Sequence, residues 1–198
     1  MTSINGLTFV PDFITPTEEA QYLNFIYEQK WNKELTRRTQ HYGSRYVYRT
    51  RSLQYDVPEV PDIFKALASK IKTAGLTTLD FDQVIVNEYT PGQGIAAHTD
   101  HKTWFDTDIV TLSLKAPINM EFTARNVDET IRLEPRSIVV LKGYARSVVR
   151  HGISQVKADV VDGVEIPRQT RVSITFRKIK SQHKVNVRPG SPPDFGFF

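Results

Sequence analysis

The chain of 198 residues contains no cysteine. Disulfides and thiolate metal sites are therefore excluded, and any bound metal must sit on nitrogen and oxygen. No apolar run approaches the length of a membrane span. Met1 to Phe9 lacks the basic region and long apolar core of a secretory signal. These absences predict a cytoplasmic or nuclear protein with no membrane partner. There is no internal repeat and no low-complexity block, and neither sign of charge dominates. The formal net charge of +4 permits a nucleic-acid partner without requiring one. The length suits one domain with a real core and hardly two, so residues 1–198 are expected to form a single, monomeric domain.

Two helices are expected near the start. Thr15-Pro16-Thr17-Glu18 carries an N-cap, a proline at the first helical position and the acid that completes a capping box. Ala20, Leu23 and Tyr27 follow at helical spacing. A second helix starts near Pro61, with Ile63, Leu67 and Ile71 four residues apart and Gly75 as its stop. From Phe81 onward the texture changes to short β-branched and aromatic runs between turn signals. They include Val84 to Val86, Ile109 to Leu114, Ile138 to Leu141 and Arg171 to Phe176. Such spacing suggests an all-β sandwich or barrel. The fold class is thus mainly β with flanking helices. The tail, Val187 to Phe198, is rich in proline, glycine and aromatics, and either drapes over the body or is disordered.

Three residues offer a metal site. His98-Thr99-Asp100 follows the turn Pro91-Gly92-Gln93-Gly94, and strand residues two apart face the same way. An imidazole and a carboxylate can then converge on one point, and His151 would add a second imidazole. Two histidines and one carboxylate with open positions are the ligand set of non-haem Fe(II) oxygenases. With five histidines and 22 acidic residues in the chain, one His-x-acid step arises readily by chance and has no weight alone.

A second pattern lies in Arg171 to Arg177, where Arg171, Ser173, Thr175 and Arg177 alternate with Val172, Ile174 and Phe176. An exposed sheet would solvate that polar face. Two arginines roughly 20 Å apart at their α-carbons can also clamp a dicarboxylate, or one guanidinium can do most of the anchoring. Asn87 and Tyr89 share a strand face upstream and can hydrogen-bond a carboxylate or keto acid.

The order of the parts is more specific than any part. Asn-x-Tyr-x-Pro-Gly at 87–92, His-x-Asp at 98–100, a lone histidine about fifty residues on and Arg-x5-Arg at 171–177 occur in sequence. With Asp108 to Leu114 and Tyr144-Ala-Arg before Arg-His-Gly-Ile, this resembles the AlkB family of Fe(II)/2-oxoglutarate dioxygenases from about Phe9 to Lys180. The resemblance implies a double-stranded β-helix, or jelly roll, with helices on one side. It implies Fe(II), 2-oxoglutarate and O2 as cofactors, the iron held by His98, Asp100 and His151. Asn87, Tyr89, Arg171, Ser173 and Arg177 would bind 2-oxoglutarate, Arg171 at the distal carboxylate and Arg177 near the metal. Ser173 stands where the family usually has Asn. The implied reaction hydroxylates a substrate C–H. Where that carbon is attached to nitrogen, the hemiaminal collapses to aldehyde and amine.

Residues 36–55 lie where AlkB relatives carry a substrate lid, and interleave arginines with tyrosines. Arg37, Arg38, Arg45, Arg49 and Arg51 could contact phosphates, while His41, Tyr42, Tyr46 and Tyr48 could stack on a base of DNA or RNA. Lys102 stands two residues after Asp100, where DNA-repair members commonly carry an acid. The stretch around it looks more like members acting on tRNA wobble uridines or on proteins. An alkylated or modified nucleobase is the expected substrate. A protein side chain is the alternative, and a catalytically silent jelly-roll binding module the third reading.

Overall fold

The computed structural model describes residues 2–47, 52–54 and 57–183. The tail from 187 lies outside this range, as do Tyr48, Arg49 and Arg51. The side chains of Arg45 and Tyr46 are also outside the described part.

The elements run β1 (Leu7–Val10), α1 (Pro16–Glu28), β2 (Arg38–Tyr42), β3 (Arg45–Val47), β4 (Ser52–Gln54), α2 (Asp62–Thr73) and β5 (Gln83–Tyr89). There follow β6 (Ile95–His98), β7 (Ile109–Leu114), β8 (Ile118–Ala124), β9 (Val127–Leu133), β10 (Ile138–Leu141) and the short α3 (Gly143–Ser147). The last are β11 (Arg150–Ile153), β12 (Ala158–Val161), β13 (Val164–Pro167) and β14 (Arg171–Arg177). Helix α1 begins as the capping box dictates. Thr15 Oγ1 accepts from the Glu18 amide at 3.2 Å, and Glu18 Oε2 accepts from the Thr15 amide at 2.8 Å. Helix α2 stops just before Gly75, whose φ of +72° only glycine adopts cheaply.

Six strands form one antiparallel sheet in the order β1-β10-β7-β14-β5-β2, and four form another in the order β6-β11-β8-β9. The strands β12–β13 and β3–β4 are separate hairpins. The larger sheet divides the core in two. On its outer face Val84, Val86, Val110, Leu112, Ile174 and Phe176 pack against Ile26 of α1 and Phe64, Leu67 and Ile71 of α2. Helices of this length are marginal alone. Each of those four helix side chains is fully buried, worth about 2 kcal/mol apiece, and this docks the helices on the sheet. On the inner face Ile109, Val139 and Leu141 meet Met120, Phe122 and Ile153 of the smaller sheet. The result is a jelly roll with helices on one side.

Strand β14 runs through the centre, paired with β5 and β7. Every residue of β14 and β5 is buried. The polar members of β14 therefore face the space between the two sheets and not solvent. That space is where the site lies.

Candidate active site

Strands β6 and β11 pair antiparallel with His98 opposite His151. Their ring centroids are 4.5 Å apart. Gly152 permits this approach, because a Cβ there would stand 2.9 Å from the Ala97 Cα. Strand β6 ends at His98, so strand alternation does not align Asp100 with it, which corrects the expectation from sequence. Asp100 lies in the following turn and is held at two points. Arg146 Nη1 donates to its backbone carbonyl at 2.8 Å, and Arg177 Nη2 lies 2.5 Å from its Oδ1. Asp100 Oδ2 is then 3.6 Å from His151 Nε2.

The donor atoms of His98, Asp100 and His151 all lie within 4.8 Å of one another. Ligands about 2.1 Å from a shared ion stand at most about 4.2 Å apart, so a small contraction would let the three hold one metal. Among the described residues no other group of His, Asp and Glu converges in this way. The protonation states suit ligation. His98 Nδ1 is 2.9 Å from the Ala96 carbonyl, which can only accept, so Nδ1 is the donor and Nε2 is the ring nitrogen left for a metal. Burial pushes His151 down to about 4, leaving it neutral at physiological pH. For Asp100, burial opposes ionisation. The nearby guanidiniums, Arg177 above all and Arg146 with it, counter this, and the carboxyl lies below its usual range. Two imidazoles and one carboxylate form a nitrogen–oxygen set that suits Fe(II).

A cleft of about 480 Å3, counted to its open mouth, runs from these residues to Arg171. Ile95, Ile109, Met120, Val139 and Leu141 give it an apolar wall. Arg171 is 1% exposed. Its Nη2 donates to Ser113 Oγ at 2.8 Å, its guanidinium carbon lies 5.6 Å from the centre of the Tyr89 ring, and its buried Nε has no partner. Among the described residues no carboxylate pairs with it. Burial pushes it down to about 10. A buried cation without a counter-anion is costly, and it makes this end of the cleft a receptor for an anion. Arg177, six residues along the strand, lies under the Phe105 ring at 4.9 Å and also has an unpartnered Nε. Ser173 and Asn87 are register partners across β14 and β5, both buried and both lining the cleft.

The expected substrate residues are more scattered. Tyr42 is 4% exposed, packs edge-on against Phe64 at 5.4 Å and donates its hydroxyl to Gln40 Oε1 at 2.9 Å. It is a core residue, and its reading as a base-stacking side chain is corrected. Arg38 points to the outer face of the sheet. It forms a two-pronged pair with buried Glu88 at 2.5 and 3.0 Å, and stacks 4.3 Å over Trp31. A phosphate would have to displace that pair, so the expected phosphate contact is corrected too. His41 is half-buried, with Nε2 3.1 Å from Thr39 Oγ1. Lys102 is exposed in the turn after Asp100. Tyr46 has its backbone in β3 opposite Leu53. Thr111 and Thr175, bonded to each other at 3.1 Å, also line the cleft. Their signal was available in the polar–apolar alternation of β7, the same pattern as in β14. Nothing in the sequence announced that Arg146 would hold the Asp100 carbonyl.

A family model described as the 2OG-Fe(II) oxygenase superfamily matches residues 6–177. The chain belongs to this superfamily, and is an Fe(II)/2-oxoglutarate dioxygenase whose oxidant is O2. It is 36% identical over 203 residues to uncharacterized protein L905 of Acanthamoeba polyphaga mimivirus, covering 97% of this chain and 95% of that one. It is 32% identical over 206 residues to the alkylated DNA repair protein ALKBH8 homolog of Arabidopsis thaliana, covering 90% of this chain and 60% of that protein. Its fold matches the solved structure of OsALKBH1 with a TM-score of 0.71 at 16% identity, covering 90% of this chain and 99% of that one. The Arabidopsis relative and the solved structure both carry AlkB-homolog names. Among the described residues no helix is long and apolar enough to cross a membrane.

Proposed function

We propose that this oxygenase oxidises an alkylated or modified nucleobase in DNA or RNA, by hydroxylation or oxidative demethylation. His98, Asp100 and His151 hold the iron. Arg171 takes the distal carboxylate of 2-oxoglutarate, and Arg177 takes the carboxylate near the metal while keeping Asp100 ionised. Asn87, Tyr89 and Ser173 supply the remaining hydrogen bonds. Iron, 2-oxoglutarate and O2 supply the C–H oxidation, with succinate and CO2 as co-products. The protein supplies orientation, charge and dryness. The apolar wall excludes water from the buried arginines, which strengthens their hold on a dicarboxylate. The observation that carries the cosubstrate reading is Arg171, a fully buried guanidinium with an unpartnered Nε, in the same cleft as the three convergent ligand atoms.

The nucleic-acid reading is supported by the Arabidopsis relative, named for repair of alkylated DNA. With Arg38 and Tyr42 committed elsewhere, the contacts to substrate fall to Lys102, His41 and the segment around Tyr46. A base must be unstacked or single-stranded to enter such a cleft. The first test adds Fe(II) and 2-oxoglutarate to the metal-free protein without oxygen. A weak visible charge-transfer band requiring both additions is expected. Its absence in folded, metal-loaded protein would reduce the chain to a binding module. Succinate release is then compared across alkylated oligonucleotides, tRNA and peptides. Release with peptides alone would refute the nucleobase assignment.

A further inference from the structure

Arg38 opens the edge strand β2 and Arg37 immediately precedes it, and their side chains go to opposite faces. Arg38 goes outward to Glu88. Arg37 goes inward: its Nε donates to Asn87 Oδ1 at 3.0 Å, and its guanidinium carbon lies 5.9 Å from the centre of the Tyr89 ring. Tyr89 in turn has Arg171 at 5.6 Å. Among the described residues no carboxylate pairs with Arg37, although it is half-buried.

Its position is fixed from both sides. Gln93 Nε2 donates to the Thr36 carbonyl at 2.8 Å, while Gln93 Oε1 accepts from the Thr90 amide at 3.0 Å. The chain just before Arg37 is thus tied to the turn that leads to His98. On the other side, Arg38 is clamped to Glu88, and the Thr39 and Asn32 backbones exchange hydrogen bonds at 2.9 and 2.7 Å. The backbone that carries Arg37 is thus tied on both sides.

We propose that Arg37 is a positioning residue for the cosubstrate, acting through the orientation of the Asn87 amide. An amide presents an acceptor on one side and donors on the other, and a guanidinium has donors only. Arg37 must therefore meet the oxygen of Asn87. This turns the Asn87 NH2 away from Arg37 and leaves it to donate to a carboxylate or keto oxygen in the cleft. Without Arg37 the amide can flip, and half of its orientations present an oxygen to an anion. The inference rests on the reading that Asn87 contacts 2-oxoglutarate.

The experiment is a double-mutant cycle of Arg37→Ala and Asn87→Ala, reading 2-oxoglutarate affinity of the Mn(II)-loaded protein by calorimetry, with thermal unfolding as the control for folding. Asn87→Ala is expected to weaken 2-oxoglutarate binding by about tenfold, as befits one hydrogen bond to a charged group, and Arg37→Ala by about twofold, since half of the amide orientations then present the wrong atom. The double variant should be no weaker than Asn87→Ala alone. Arg37→Lys should recover part of the loss, since an ammonium also offers donors only. Turnover at saturating 2-oxoglutarate should change much less than KM for it in Arg37→Ala. Fully additive losses would overturn the role of Arg37 while leaving Asn87 as a contact. No loss in Asn87→Ala would overturn the Asn87 assignment and the role of Arg37 with it.

Discussion

Arg171→Met separates a residue that builds the fold from one that waits for a ligand. The side chain is 1% exposed, and burial lowers its pKa to about 10, well below the usual arginine range. That lowering is worth about 3 kcal/mol against the charged form at neutral pH. Methionine has a similar length and no charge to desolvate, and replacing unpaired buried charges with apolar groups is commonly neutral or stabilising. The metal-free Arg171→Met variant should therefore be more stable by roughly 1–3 kcal/mol, a rise in Tm of about 3–8 °C for a chain of this size. Its affinity for 2-oxoglutarate should fall. Removing one partner from a buried, hydrogen-bonded charge pair costs about 2–5 kcal/mol, or roughly 10²- to 10³-fold in Kd. Melting curves of the Mn(II)-loaded proteins with and without 2-oxoglutarate read both effects. Wild type should gain stability as ligand rises above Kd, by about 2.7 kcal/mol at a hundredfold excess, and the variant should gain no more than about 0.4 kcal/mol over that range. A variant that melts lower than wild type without ligand, yet keeps the full ligand-induced shift, would refute the reasoning. Arg171 would then be a structural residue bound to Ser113.

His98→Ala and Asp100→Asn should each abolish iron-dependent succinate release while the circular dichroism stays native; undiminished release in both would sink the triad. Tyr42→Phe should leave nucleic-acid binding unchanged, whereas Tyr42→Ala should cost about 3–5 kcal/mol in chemical denaturation. A binding defect in Tyr42→Phe at unchanged stability would restore Tyr42 to the substrate site. Burial raises the Tyr42 pKa to about 12 from 10.0, so the folded state resists ionisation there. Its contribution is complete below pH 10 and is lost as pH rises towards 12, and Tyr42→Phe should remove that part of the alkaline instability. Lys102→Ala should weaken binding of a single-stranded oligonucleotide and lower the salt slope by about 1, if Lys102 meets a phosphate. An unchanged slope would place the strand elsewhere.

Much of the fold was legible because its local signals agree with one another. Thr15, Pro16 and Glu18 specify a helix start with no help from the rest of the chain, and the structure begins α1 at Pro16. The run Ile109 to Leu114 forms a strand over those same residues. The polar face of Arg171 to Arg177 was ambiguous for a physical reason. Alternation shows that two faces differ, not what covers them. Solvent and a second sheet give the same period of two. Only the packing of β6-β11-β8-β9 over the larger sheet resolves it, and that packing is set by residues far away in sequence.

The substrate segment was harder because charge and aromaticity are read as surface chemistry whatever direction the side chain takes. In β2 the directions decide everything. Gln83 to Tyr89 is buried, and β2 pairs along its edge through Arg38 to Tyr42. Arg38 and Tyr42, an even number of residues apart, both go to the helix side, where one neutralises Glu88 and the other fills space beside Phe64. Arg37, out of phase by one, goes to the cosubstrate side. A shift of one residue in the register of β2 would exchange these roles, placing a tyrosine towards the cleft and burying Thr39 and His41 against Phe64. The Arg38–Glu88 pair ties the start of β2 in the register in which Arg37 reaches Asn87. Substituting Glu88 should therefore weaken 2-oxoglutarate binding although Glu88 faces away from the cleft, and that loss should disappear when Arg37 is already alanine.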